Sequence, residues 1–443
     1  MKCRSCEHAL RKAQSLLLDS LSKKEISLLL LIDFSKAFDM VEHTILIKKL
    51  EHYGIRGIAL EWLKSYLGNR EQFVTINGKN STKMPLKFGV PQGSILGPLL
   101  FIIYINDIPL ISKLAKFIMY ADDANIIISG KNIDEINEKL INLSTGLLNW
   151  VDTNGLALNL KKTKYMIFSR QKIELPQGLS IANTKIERKS EARFLGVIID
   201  EKLNFAQHIN TLKSKMSRYV GIMYRLKGLL PLNVRLQIFH SFIQSHINYC
   251  ALVWGFSAKS NIESLFVKQK KGMRAVMPGY VNYYFKDGTA PAHTKAGFTK
   301  LNVLSVHGVI VKNALIFMHK IKYFPNMLPI SVRDTIASNS PTVESNSTQS
   351  HETCEAWLDN FGNSYHRKSI FFKGPLLSID SNISNLVTPT TLFSINAYKS
   401  NVKRFLLKQQ SGGNVDEWQA ENFILYNISG LRKSARQNDT DQF

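Results

Sequence analysis

Two adjacent acids, Asp122 and Asp123, stand between the apolar runs Lys116–Met119 and Asn125–Ile128. Apolar runs on both sides of so short a polar break predict a β-hairpin with the acids at its tip. Like charges side by side repel, and Asp is depleted in strands. A hard divalent cation would explain the pair, because Mg²⁺ takes oxygen ligands and is held by one or two carboxylates plus substrate phosphates. A plain polar turn is the competing reading, since Asp is a common turn residue.

The segments upstream favour the first reading. Ile26–Ile32 is apolar and too short to span a membrane. It predicts a buried strand, with Asp33 at its end, where a side chain reaches a cleft. Asp39 has a different expected task. With Glu42 it forms an Asp-x-x-Glu start to the amphipathic stretch Thr44–His52, which ends at Gly54, and this pattern predicts a helix N-cap. A third segment, Gly89–Phe101, is dense in glycine and proline at its start. It predicts a tight loop and then a helix from about Ser94 through Asp107. Small residues there let a backbone or a base pair come close, and Gln92 and Gly93 lie on that loop.

These segments, in this order, resemble reverse transcriptases, and most closely those of non-long-terminal-repeat, LINE-type retrotransposons. Asp33–Asp39 resembles the family's first catalytic motif, Gly89–Phe101 its template- and nucleotide-positioning motif, and Tyr120–Asp123 its signature tetrapeptide. Gly155–Lys164 resembles the next motif, and Phe194–Val197 the primer-grip hairpin. One such tetrapeptide is a weak signal; five motifs in order are a strong one. The resemblance is dense over residues 1–200 and looser beyond.

The resemblance implies RNA-directed DNA synthesis with two Mg²⁺ or Mn²⁺ ions. Asp33 and Asp122 would bridge the ions and Asp123 would support them. Successive strand side chains face opposite ways, which ranks Asp122 above Asp123. Phe38 would sit under the sugar and exclude a ribose 2′-hydroxyl, although a core Phe is the plainer reading. Lys162 would lie near the leaving pyrophosphate, against the plainer reading of Lys161, Lys162 and Lys164 as a solvated run. The implied partners are an RNA template, a DNA primer and deoxynucleoside triphosphates. Only 32 residues precede Asp33, so most of the family's fingers are expected to be missing and triphosphate to be held poorly. The alternative is a non-catalytic nucleic-acid-binding remnant of a transposable element.

Charge agrees with a polynucleotide partner. The formal net charge is +23 over 443 residues. Residues 201–330 hold 18 Lys and Arg against 3 Asp and Glu, and clustered cations bind phosphates without sequence preference. Periodicity predicts helices at 7–22, Ile58–Leu67 and Ile133–Asp152, an Asn77–Gly78 hairpin turn, and strands near Tyr165–Ser169 and Arg193–Ile199. The expected class is α+β. The resemblance implies a right-hand polymerase palm with a ferredoxin-like sheet and partial fingers over 1–200, and a basic helical thumb over 201–278. The thumb helices are Ala206–Leu226, Leu232–Ile247 and Ile262–Val276, with Lys213, Lys215, Arg218 and Arg225 facing the duplex. A C-terminal region, 279–443, contains a Ser/Thr/Asn-rich linker at 331–350 and a short basic helix at Tyr398–Leu407. Cys3 and Cys6 read as free thiols, because no Cys/His pair follows at zinc-site spacing. No apolar run reaches membrane-spanning length, and four cysteines suit a reduced, intracellular compartment.

Overall fold

The structure, a computed structural model, describes residues 5–173, 178–277, 294–324, 327 and 394–411. The chain divides into two compact units, Asp19–Leu195 and a second made of Met1–Leu18 with Gly196–Phe443.

Helix α1 (Cys6–Ser22) begins the described chain. β1 (Ile26–Ile32), α2 (His43–His52) and α3 (Ile58–Leu67) follow. Four two-residue strands come next: β2 (Glu71–Gln72), β3 (Thr75–Ile76), β4 (Lys79–Asn80) and β5 (Met84–Pro85). Between β3 and β4 the Asn77–Gly78 turn has φ of 49° and 76°, the left-handed pair that an Asn-Gly hairpin demands. Then come α4 (Leu96–Ile105), a 3-10 turn at Ile108–Ile111, β6 (Lys116–Tyr120), β7 (Asp123–Gly130) and α5 (Ile133–Thr153). β8 (Lys164–Phe168), β9 (Leu179–Ile181), β10 (Thr184–Arg188) and β11 (Glu191–Phe194) complete the first unit.

Its sheet has the order β6-β7-β1-β8-β10-β9. Every pairing is antiparallel except β8 with β10. β1 lies inside the sheet and is apolar along its length for that reason: its side chains are buried on both faces. One face, with Leu28, Leu30, Ile126, Ile128 and Ile167, packs with Leu140, Leu143 and Leu147 of α5 in one core. Asn132 caps α5 by accepting the Glu135 N–H at 2.8 Å, the favoured use of Asn at an N-cap.

The second unit is helical after β12 (Val197–Asp200). It contains α6 (Ala206–Leu226), α7 (Leu232–Phe239), a π-helical segment at His240–Gln244, α8 (Ser245–Asn248), α9 (Ala251–Trp254), α10 (Lys259–Val276), α11 (Lys295–Lys300), α12 (Val306–Tyr323) and α13 (Ile395–Ser411). α10 packs along α6, and α13 along α12. The Asp200 carboxylate gathers the N–H groups of Lys202, Asn204 and Phe205 and so turns the chain into α6. No helix among the described residues is long and apolar enough to cross a membrane.

The mixed helix-and-sheet class is as expected, but two local expectations change. Asp39 is not a helix cap. The turn at Lys36–Met40 consumes it, with the Asp39 and Met40 N–H groups on the Lys36 carbonyl, and Glu42 takes the N-cap position of α2 without a side-chain cap bond. The turn expected at Phe194–Val197 is present, with Leu195 and Gly196 at φ 43° and 80° between β11 and β12. The single helix over Leu232–Ile247 is interrupted by its π-helical segment. The 331–350 linker lies outside the described residues, as do Cys3 and Cys354; of the region 279–443, α11, α12 and α13 with their flanks are described.

Candidate active site

The β1 register decides where the acids meet. Ile32 pairs with Ala124, and Tyr120 with Asp123. Asp33 and Asp123 are the residues next to that last Ile32–Ala124 pair, so the end of β1 brings them to the same edge of the sheet. Only Asp122 occupies the hairpin tip, in the two-residue turn Ala121–Asp122; Asp123 opens β7. The expectation of both acids at the tip is corrected to this extent. Ala121 turns the chain in the left-handed region, at φ 51°.

The acids feel one another. Burial first, then the charges of Asp122 and Asp33, hold the Asp123 carboxyl above its ordinary value. Three carboxylates under mutual repulsion suit a hard cation. Among the described residues, however, no group of three or more His, Cys, Asp or Glu side chains is set to hold a metal ion. The donor chemistry fits; a closed cage is not preformed.

Asp33 is fixed from the Gly155–Lys164 segment. Its carbonyl accepts the Asn159 N–H at 2.8 Å, and its N–H donates to Thr163 Oγ1 at 3.4 Å. Ser35 N–H adds a bond to the Ala157 carbonyl at 2.8 Å. This run carries Lys162 to the site, with Nζ 3.8 Å from Asp33 Oδ2. Lys162 is 71% exposed and Asp33 40%, so the pair adds little stability. It leaves an ammonium free to swing beside the acids.

The Gly89–Phe101 loop approaches from the side of Asp39. Gln92 Nε2 donates to Asp39 Oδ1 at 2.8 Å. Gly93 has φ +84° and open space around its missing Cβ. Gly97 is required for a different reason: a Cβ there would stand 2.6 Å from the Pro91 carbonyl oxygen. Ser94 closes the turn, donating to the Pro91 carbonyl at 2.7 Å and accepting the Gly97 N–H at 2.9 Å. The helix expected from Ser94 therefore begins at Leu96. Phe38 is half-buried, its ring 4.5 Å from that of Phe101, while its carbonyl accepts the Val90 N–H at 2.9 Å. It belongs to the core edge and to the loop wall together.

The four cations of α6 do not share one face. His208, Ile209, Leu212, Met216, Val220 and Met223 form the buried stripe. At about 100° per residue, Lys213 and Lys215 flank that stripe on opposite sides. Arg218 and Arg225 lie within roughly 20° of one another on the outer face. Lys213 is also engaged with Asn210 Oδ1 at 3.1 Å.

Sequence reasoning missed three contributors. Asp39 is a partner of Gln92, a link across 53 positions with no local signal. Thr163 and Asn159 hold the Asp33 backbone; their place inside the motif-like run Gly155–Lys164 was the available cue.

Residues 3–199 match the family model described as reverse transcriptase (RNA-dependent DNA polymerase). The chain is 26% identical over 277 residues to the RNA-directed DNA polymerase from mobile element jockey of Drosophila melanogaster, covering 60% of this chain and 30% of that protein. It is 29% identical over 287 residues to a probable RNA-directed DNA polymerase from transposon BS of the same fly, covering 60% and 31%. The chain thus spans about a third of the length of these curated relatives. A solved structure of apo telomerase from Candida tropicalis is 13% identical with a TM-score of 0.33, covering 82% of this chain and 56% of that one; a likeness so low carries no argument.

Proposed function

We propose that this chain is the catalytic part of an RNA-directed DNA polymerase, because residues 3–199 match the reverse transcriptase family model and its relatives include RNA-directed DNA polymerases from mobile elements and transposons. It would extend a DNA primer on an RNA template from deoxynucleoside triphosphates. The observation that carries the reading is that β1 ends beside the start of β7, with Asp33 and Asp123 next to the Ile32–Ala124 pair, Asp122 in the adjoining turn, and the charges of Asp122 and Asp33 both acting on Asp123. In this reading the sheet of the first unit is the palm, with partial fingers, and α6 to α10 are the thumb.

Asp33, Asp122 and Asp123 would hold two Mg²⁺ or Mn²⁺ ions. Bound there, such ions activate the attacking 3′-oxygen and offset charge on the leaving pyrophosphate. Everything else is positioning. The Gln92–Asp39 bond holds the loop that lines the nucleotide and template, and Gly93 leaves room for a backbone or base. Phe38 stands under the sugar and discriminates against a 2′-hydroxyl. Lys162 offers an ammonium to the phosphates. Lys215, Arg218 and Arg225, with Lys213 on the far flank, meet the duplex backbone.

The alternative, a non-catalytic nucleic-acid-binding remnant, is favoured by one observation: the acids do not form a ready cage among the described residues. Primer extension decides between them. The full chain is given an RNA template, a labelled DNA primer, deoxynucleotides and Mg²⁺ or Mn²⁺. Extension that disappears in Asp33→Asn and in Asp122→Asn is expected. Extension unaffected by both substitutions overturns the assignment, and no extension with either metal favours the remnant.

A further inference from the structure

Charge is distributed unevenly within the helical unit. Among its described residues from Ala206 to Ser411, Glu263 is the single acid. That carboxylate is already engaged, 3.2 Å from His307 Nε2. Among the described residues of this region, cations therefore far outnumber acids.

Three of these cations come together where α13 meets α12. α13 lies against α12 through the buried stripe Tyr398, Val402 and Leu406. Tyr398 stacks on His319 of α12 at 3.8 Å, with the rings within 9° of parallel. Lys399 and Lys403 each follow a stripe residue by one position and are four apart, so they share the rim of that contact. Lys312 of α12 is half-buried on the opposing side. Burial first, then the charges of Lys403 and Lys399, hold the Lys312 ammonium below its ordinary value. His240 of the π-helical segment is lowered likewise, by burial and then by Lys403. Folding thus brings like charges together and partly desolvates one of them. Such an arrangement opposes folding unless an anion arrives.

We propose that the α12–α13 seam, built from Lys312, Lys399 and Lys403, is a docking site for the phosphodiester backbone of a nucleic-acid duplex, distinct from the α6 surface. The proposal rests on the nucleic-acid-binding reading above and deepens it. A nucleic acid fits better than a membrane, because the apolar stripe of α13 is spent on α12 and leaves no apolar face to insert. Arg404 and Lys408 continue the basic helix beyond the seam. The seam would lengthen the track along which the protein grips duplex, with affinity that is independent of sequence and sensitive to salt.

The test uses the full chain and a labelled RNA–DNA hybrid duplex, with affinity measured by anisotropy across a salt series. Each phosphate contact contributes a slope of about 0.9 in log affinity against log salt, or roughly 8-fold at 0.1 M. Lys399→Gln with Lys403→Gln should therefore lower affinity by about 60-fold at 0.1 M salt and reduce the slope by about 2. Lys312→Met should weaken binding while its melting temperature stays level or rises, since it removes a partly buried charge from a repulsive group. Unchanged affinity and slope in both variants overturn the proposal. So does binding to anionic lipid vesicles that the variants lose while duplex binding stays intact. Asp33→Asn separates this test from the polymerase reading. It should abolish extension without moving duplex affinity, so failure of either idea is visible by itself.

Discussion

Phe38 packs at the core edge and is proposed to gate the sugar, and replacing it tests the two roles separately. Its ring packs on Phe101 at 4.5 Å and is half-buried at the edge of the core. Truncating a fully buried Phe to Ala costs about 3–5 kcal/mol. Half the burial scales this to about 2 kcal/mol, including the aromatic pair. For a unit the size of Asp19–Leu195 that is a fall of about 4–8 °C in melting temperature. If the ring also lies under the sugar, Phe38→Ala opens room for a 2′-hydroxyl. The ratio of ribonucleotide to deoxyribonucleotide kcat/KM should then rise by an order of magnitude or more. Phe38→Tyr keeps the ring and should keep both the melting temperature and the sugar preference within about twofold. The measurements are thermal unfolding and single-nucleotide extension with paired dGTP and GTP. A variant that melts earlier but retains the wild-type sugar preference would refute the gate and leave Phe38 as core alone. A variant whose preference changes without loss of stability would refute the packing estimate.

Two further predictions concern titration. The raised Asp123 carboxyl binds its proton more tightly when folded. Stability without metal should therefore fall as pH climbs from the ordinary carboxylate value of about 3.9 through the raised one, then level off. Asp123→Asn should flatten that dependence and make the metal-free protein more stable at neutral pH; urea melts at pH 4 and pH 7 that leave the slope unchanged sink the argument. Tyr104 is fully buried and donates its hydroxyl to the Asn154 carbonyl at 2.5 Å. Burial chiefly pushes its pKa up to about 12. Its contribution is complete below about pH 10, where the unfolded phenol titrates, and drains away as pH rises toward 12. Tyr104→Phe should cost about 1–3 kcal/mol at neutral pH and should lose stability less steeply in that alkaline window, as read by guanidinium melts.

Legibility followed the range of the interactions. β1, β6 and β7 were readable because uninterrupted apolar runs and a short polar break are local facts. β9 and β10 were not. They are three and five residues long, carry Lys, Glu and Arg, and turn through Ala182 and Asn183 at φ 47° and 60° without a glycine to mark the place. The parallel join of β8 to β10 has no periodicity of its own. At the site, Asp33 was legible from its position at the end of a strand. The tie from Gln92 to Asp39 was not, because Asp39 and Glu42 imitate a cap locally while the fold uses Asp39 elsewhere. The scatter of the α6 cations was legible from helical spacing alone.

The position of β1 in its sheet has a consequence for the making of the protein. Ser27 pairs with Ser129 on one side and Phe168 on the other, so this strand waits for partners about 100 and 140 residues later. At about 5–20 residues per second on the ribosome, the Phe168 side stays open for roughly 7–28 s. During that interval a seven-residue, charge-free apolar segment is unpaired, which is the signature of a segment prone to stick to other chains. Nascent or nonsense-shortened products ending before Phe168 should therefore clump and occupy chaperones rather than remain as inert fragments. The strand that leads to Asp33 is thus also a hazard while it is left unfinished.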